Sequence, residues 1–205
     1  MASFITLEGG EGAGKSTQAR LLAEALGAHG LPVLRTREPG GAPGAEVLRG
    51  LLLSGEIEWS AQAETLLHFA ARAEHVARSI RPALDAGTWV VCDRFYDSTM
   101  AYQGYGLGAD RGSIATLIGL LGIVPDVTLV LDVSAPVAVA RQIKRGMDAD
   151  RYEKLDALFH ARVRQGFRDI AAAEAQRCVL IPADGSEAEV HSAIMAALRS
   201  RLPIA

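Results

Sequence analysis

The run Gly9-Gly10-Glu11-Gly12-Ala13-Gly14-Lys15-Ser16 puts glycines, a lysine and a hydroxyl in the order that cradles phosphate. The glycines let successive backbone N–H groups turn inward around an anion. A helix starting at the same point adds its partial positive charge. Lys15 can reach the outer phosphates, and the Ser16 hydroxyl can ligate Mg²⁺. Both flanks agree. The apolar run Phe4-Ile5-Thr6-Leu7 reads as a strand, and Thr17-Gln18-Ala19-Arg20-Leu21-Leu22 reads as a helix. A glycine-rich turn without function would need neither flank. A nucleoside triphosphate is therefore expected at Gly9 through Ser16 and at Thr17. The loop does not say what receives the phosphoryl group.

Other charged residues collect at the ends of apolar runs. Asp93-Arg94 follows Trp89-Val90-Val91-Cys92. A carboxylate there can bind Mg²⁺ directly or through water, and an arginine beside it suits a phosphate. The alternative is a local surface ion pair. Asp132 ends another run and is a second metal-side carboxylate, or else an aid to the helix start at Ser134-Ala135-Pro136. Arg37-Glu38 ends a further run. Phe69 and Arg72 lie three residues apart on one helix face. They fit a base platform with a donor at its edge, or a core phenylalanine beside an arginine with a buried stem. Arg145 to Arg151 interrupts two helices with glycine and polar residues. It fits a flap closing over phosphates, or an ordinary helix connection. The histidines at 29, 68, 75, 160 and 191 show no triad or metal spacing.

The elements that would carry these residues are legible. Phe4–Leu7, Val33–Thr36, Trp89–Cys92, Thr128–Leu131 and Cys178–Ile181 have strand character without clean alternation, and helical patterns separate them. That predicts an α/β parallel sheet covered on both faces, with ligands beyond the carboxyl ends of the strands. Helices are expected at 61–78, 136–144, 152–175 and 188–202, with a helix stop at Ala86-Gly87 after Pro82 and a flexible loop at 105–108. The chain has 205 residues and no linker-like stretch, so a single domain over 1–205 is expected. Its net charge of −3 argues against a general nucleic-acid or anionic-membrane binder. The most apolar stretch, 114–124, is too short to span a bilayer. Glu8 and the glycine loop follow the start at once, so no signal peptide is expected and a cytoplasmic location is. Cys92 and Cys178 are expected to be small buried hydrophobes.

Taken in order, the motifs resemble the thymidylate kinase (dTMP kinase) family almost end to end. They are Glu8 to Thr17; Thr36-Arg37-Glu38-Pro39-Gly40-Gly41; Phe69-Ala70-Ala71-Arg72; and Asp93-Arg94-Phe95-Tyr96-Asp97-Ser98-Thr99-Met100-Ala101-Tyr102-Gln103. The resemblance implies a P-loop nucleoside monophosphate kinase fold: a five-stranded parallel sheet with helices on both faces and a short lid near 145–152. It implies ATP and dTMP giving ADP and dTDP, with Mg²⁺ at Ser16 and Asp93, and a homodimer. By resemblance Phe69 would stack on thymine and Arg72 would bond its edge. Ser98 and Gln103 would help hold the nucleotide, and Tyr102 would sit against the deoxyribose. Arg94 and Arg49 would bind the acceptor phosphate, Glu11 would face the sugar 3′-OH, and Glu38 would organise the surrounding charges. Lys15 and Arg94 would be catalytic together with a lid arginine. Where some members place an arginine after the P-loop acid, this chain has Gly12. That matches the bacterial-type subgroup, whose arginine comes from the lid, here Arg151 in preference to Arg145.

Rival readings differ in what they need. Another (deoxy)nucleoside monophosphate kinase shares everything except the acceptor pocket. A regulatory P-loop GTPase needs a guanine-reading Asn-Lys-x-Asp, and the chain contains no asparagine. A nucleotide-binding scaffold without catalysis would dispense with Lys15, Asp93 or the lid arginines.

Overall fold

Strand β1, Phe4–Glu8, is buried at every position. Such a strand belongs in the middle of a parallel sheet. The computed structural model, which describes residues 2–146, 152 and 155–204, places it there. The others are β2 (Val33–Arg37), β3 (Trp89–Asp93), β4 (Val127–Asp132) and β5 (Cys178–Pro182). Among the described residues they form one parallel sheet in the order β2-β3-β1-β4-β5. Each extends the strand expected from sequence by one residue at its end, and β4 also starts one residue earlier. The register sets Leu7 beside Asp93. The loops after β1 and β3 therefore emerge side by side.

Helix α1 (Lys15–Ala28) follows β1, and α2 (Pro43–Leu53) and α3 (Ala61–His75) follow β2. Then come α4 (Arg81–Asp85), α5 (Tyr96–Thr99), α6 (Arg111–Leu121), α7 (Ala135–Arg145), α8 (Ala157–Ala173) and α9 (Glu187–Arg199). Side chains cap several of these. Ser60 caps α3, Asp110 caps α6, Asp156 caps α8, and Ser186 with Glu189 forms a capping box on α9. Helix α1 begins instead at Gly14 (φ 89°) with no side-chain cap. Its first N–H groups are left to another acceptor.

Two apolar layers sandwich the sheet. Leu22 and Leu26 of α1 meet Val190, Ile194 and Leu198 of α9 against Ile5, Leu7 and Leu129. On the other face Phe69, Val76, Ile80 and Ile114 pack on Phe4, Val90 and Cys92. Cys92 and Cys178 are both buried and free. No helix among the described residues is long and apolar enough to cross a membrane.

The helices differ from expectation in three places. Helix α3 ends at His75 rather than at 78, while the stop expected at Ala86-Gly87 is where α4 ends. After His75 the chain widens into a π-helical turn at Val76–Ile80 and runs into α4, where Pro82 sits in the first turn. That is a position proline tolerates because its missing N–H has no helical partner there. Residues 105 and 106 are not loop. A π-helical stretch covers Met100–Gly106, and Gly106 lies so close to Phe159 that a Cβ would come within 2.5 Å of its ring. Helix α8 starts at Ala157, where Asp156 caps it, rather than at Tyr152.

A buried ion pair ties the sheet to α5. Arg177 donates from both Nη atoms to Asp97, at 2.7 and 2.8 Å, and Nη1 also donates to Thr128 Oγ1 at 2.8 Å. Thr128 in turn hydrogen-bonds Thr6 across β1 and β4. Replacing Arg177 by Met keeps the stem but leaves the Asp97 carboxyl buried without its partner. We expect Arg177→Met to lose about 3 kcal/mol of stability in urea unfolding. An unchanged midpoint would show that the pair is not stabilising.

Candidate active site

The loop between β1 and α1 owes its shape to its glycines. Gly9 (φ 135°) passes so close to β4 that a Cβ would sit 2.5 Å from the Leu131 carbonyl oxygen. Gly12 (φ 72°) lies against α7, where a Cβ would sit 2.6 Å from the Ala138 carbonyl oxygen. A side chain at position 12 would force the α7 backbone to shift, so glycine suits this position. Lys15 is buried and donates to the Gly10 carbonyl at 2.8 Å. Burial, aided by the positive charge of Arg94, brings its ammonium down to about 8. Ser16 Oγ donates to Asp93 Oδ2 at 2.5 Å.

Asp93 and Arg94 do not pair with each other. Arg94 has a φ of 69°, the one positive value outside glycine among the described residues. This left-handed backbone turns its side chain back over the phosphate loop. Three hydrogen bonds hold the turn. Arg94 N–H donates to Leu7 O at 2.9 Å, Phe95 N–H to Glu8 Oε1 at 2.7 Å, and Glu38 N–H to Asp93 O at 2.9 Å. The Arg94 guanidinium donates to Gly9 O, Ser98 Oγ and Tyr102 OH, and pairs with Glu11. Burial alone would lower its pKa, but Glu11, Tyr102, Asp93 and Glu8 outweigh that and raise it. It stays cationic at any working pH. Tyr102 OH also donates to Glu11 at 2.8 Å.

Glu8 was visible in the sequence only as a letter of the motif. It is fully buried, and Ser98 Oγ donates to its second oxygen at 2.5 Å. Burial, and next the charge of Asp97, pushes its carboxyl up to about 8.

The far end of the same cleft, about 1070 Å³ in volume, is built on α3. Arg72 is buried and donates to Glu38 Oε2 at 2.6 Å, and to Phe95 O and Thr99 Oγ1. Its Nη1 has no partner among the described residues. His75 Nδ1 lies 3.0 Å from Glu38 Oε1, and its Nε2 2.8 Å from Thr36 Oγ1. Glu38 therefore holds both of these α3 side chains, the Arg72 guanidinium and the His75 ring. Arg37 pairs with Glu46 instead. Arg49 Nη1 donates to Pro39 O at 2.7 Å, and Arg49 lines the cleft.

The structure separates Phe69 from the role expected for it. Its ring belongs to the core with Val76, Ile80 and Phe95, under the Arg72 guanidinium at 4.9 Å, and it does not line the cleft. His68 does. The physical reason is rotation. Successive helix residues point about 100° apart, and the strand layer takes the apolar ring while the cleft takes the imidazole. His68 and Arg72 stand at i and i+4, a spacing that was readable but not used. Further around this end lie Gln103, Tyr152 and the buried Glu64, joined by hydrogen bonds.

Other expectations sort as follows. Helix α7 ends at Arg145, capped by Gly146 (φ 63°). Arg151, the preferred lid arginine, lies outside the described residues. A cation that sequence reasoning missed, Arg141, sits one turn before Arg145. It lines the cleft and donates to Gly185 O at 2.7 Å and Gly12 O at 3.4 Å. Asp132 is not on the metal side. Arg164 and Arg168 both grip it. Burial would raise its carboxyl, but those two arginines hold it below its ordinary value. Among the described residues no group of three or more His, Cys, Asp or Glu could hold a metal by itself. Ser16 and Asp93 are hard oxygen donors in contact. They fit a cation such as Mg²⁺ that keeps waters and takes phosphate oxygens rather than an all-protein cage.

Comparison with known proteins agrees with this arrangement. A family model described as thymidylate kinase matches residues 7–194. The chain is 55% identical over 204 residues to a thymidylate kinase of Rhizorhabdus wittichii, covering 98% of each chain. It is 50% identical to one from Gluconobacter oxydans, covering 98% of this chain and 96% of the other. A crystal structure of thymidylate kinase from Ehrlichia chaffeensis superposes with a TM-score of 0.79 at 37% identity, over 97% of this chain and 98% of that one.

The lowered Lys15 ammonium gives a pH signature. Its folded value of about 8 lies below the ordinary 10.5, so near pH 8 about half of the lysine is neutral. A bound polyphosphate favours the ammonium. Nucleotide binding at pH 8 should therefore take up about half a proton per site. Calorimetry in two buffers of different ionisation enthalpy measures this, with Lys15→Arg as the control. No uptake in the unsubstituted protein would refute the assignment.

Proposed function

The chain belongs to the thymidylate kinase family, and from that premise we propose how its residues divide the work. The reaction is phosphoryl transfer from ATP to dTMP, giving ADP and dTDP for dTTP synthesis. The observation that carries the division of roles is one cleft with a phosphate loop at one end, buried Arg72 with an unused Nη1 at the other, and Arg94 between.

At the donor end, Gly9 to Thr17 would hold the triphosphate, with Lys15 on its outer phosphates. Ser16 and Asp93 would hold Mg²⁺, directly or through water. When bound, the ion neutralises phosphate charge. Arg141 and the Gly185 loop stand where the rest of the donor nucleotide would extend.

At the acceptor end, Arg72 Nη1 would donate to a base carbonyl, and Gln103 would meet the same base edge. His68 would form the wall for which Phe69 was expected, while Phe69 supports Arg72 from below. Tyr102 would lie against the deoxyribose, and Glu11 would meet the 3′-OH while holding Arg94. Arg94, Arg49 and Ser98 would fix the acceptor phosphate. That phosphate has a second pKa of about 6 and is already mostly a dianion at pH 7. It needs alignment and charge neutralisation rather than a general base. A lid over 145–152 would add the last cation, from Arg151 or Arg145. We take 1–205 to act as one domain, in the cytoplasm, as a homodimer. Exposed Leu66 and Leu120, on the touching helices α3 and α6, support self-association.

ADP release with Mg-ATP and a panel of monophosphates should favour dTMP, and equal turnover across the panel would sink the specific assignment. Arg151→Ala should lower kcat about 10²–10⁴-fold, and unchanged turnover would remove it from the lid role. His68→Ala should raise the KM for dTMP about tenfold with little change in Tm, a loss of about 1.4 kcal/mol of binding. Phe69→Ala should instead cost about 3 kcal/mol of stability. The opposite pattern would restore Phe69 to the base pocket.

A further inference from the structure

Hydrogen-bond directions at the acceptor end follow from one group. Glu64 is fully buried on α3, and its carboxylate can only accept. Tyr152 OH lies 2.8 Å from Glu64 Oε1 and must donate to it. The single phenolic proton is then in use, so the Tyr152 oxygen can only accept from its other neighbours. Among these are Gln103 Nε2 at 3.1 Å and His68 Nε2 at 3.0 Å. His68 is thereby the Nε2–H tautomer. Gln103 Nε2 also donates to Glu64 Oε1, at 2.8 Å. The Gln103 amide nitrogen thus faces two acceptors. The Gln103 carbonyl oxygen is on the opposite side of a planar amide, and no described residue donates to it. Gln103 lines the cleft, so that oxygen is the atom it can offer to a ligand.

We propose that Glu64 is a specificity-determining residue that acts by position. It locks the Gln103 amide so that an acceptor, never a donor, meets the nucleobase. The inference rests on the reading of this end as the dTMP end. Thymine and uracil carry a ring N–H at N3, which donates to such an oxygen. Cytosine carries a lone pair at N3, which is repelled by it. A neutral amide in a polar pocket could turn over and serve either base. Next to a buried acceptor it cannot, because turning over sets the Gln103 carbonyl oxygen against the Glu64 oxygen and removes one of the donors to Tyr152. Glu64 touches no substrate in this scheme, and its effect reaches the base through Gln103.

The test is Glu64→Gln, nearly the same shape but able to donate. Its amide can bond the Gln103 carbonyl and let Gln103 turn its NH₂ toward the base. We expect the ratio of kcat/KM for dTMP over dCMP to fall at least tenfold. The ratio for dTMP over dUMP should stay within about twofold, because both bases carry N3–H. A merely structural loss would lower all three substrates together. Glu64→Asp, still only an acceptor, should restore much of the dTMP over dCMP ratio. If wild-type prefers dTMP and Glu64→Gln leaves that ratio unchanged, the proposal falls alone. If wild-type shows no preference for dTMP, the parent reading falls and takes the proposal with it. Should the variant fail to fold, side-chain ¹⁵N NMR of the wild-type protein with dTMP decides. Gln103 NH₂ protons must show contacts to the Tyr152 ring, and contacts to the base instead would overturn the inference.

Discussion

Glu8 ends the central strand with no access to water, and its two oxygens take the Phe95 N–H and the Ser98 hydroxyl. The cleft depends on this carboxyl. Left-handed backbone at a non-glycine residue costs about 1–2 kcal/mol, so Arg94 keeps its φ of 69° only because its neighbours leave no alternative. Glu8 clamps the residue after it, and the β1–β3 register clamps Arg94 itself through Leu7. Without the turn, the Arg94 side chain would leave along the strand direction instead of folding over Gly9. The carboxyl can do this in either protonation state, since both keep a lone pair for the Phe95 amide. Its raised pKa is the cost of a location chosen by geometry.

The cations around the cleft share a design. Each is already held by an acceptor of the protein: Lys15 by Gly10, Arg94 by Glu11, Arg49 by Pro39, Arg72 by Glu38 and Arg141 by Gly185. An arginine has donors enough for a protein partner and a ligand together. Such groups are oriented before substrate arrives, so little reorganisation is needed when charge develops in the transition state. The same carboxylates limit like-charge repulsion among five cations placed close together.

Two buried carboxylates order the α3 end of the cleft in parallel. Glu38 fixes the plane of the Arg72 guanidinium, and Glu64 fixes the sense of the Gln103 amide. One sets where donors point and the other where an acceptor points. Both act from behind a side chain that lines the cleft. Helix α3 links the two, because it carries Glu64 and the Arg72 that Glu38 holds, and sets Phe69 into the core.

Much of this was legible in the chain alone. The strands were placed to within a residue at each end, because buried parallel strands are short, uninterrupted apolar runs. The phosphate loop and the Asp93-to-Gln103 segment were legible because their chemistry is contiguous. Local sequence also determined that position 12 lacks an arginine. Only the tertiary structure showed why glycine suits it, with the α7 backbone against Gly12. It also decided between Phe69 and His68. Residues adjacent on a helix differ by about 100°, and the choice of which one faces the cleft rests with the layer that packs on the other side. Glu64, Glu8 and Arg141 were unreadable for a related reason. Each acts on a partner 39, 87 or 44 residues away, and a single charged letter does not say which distant atom it will meet.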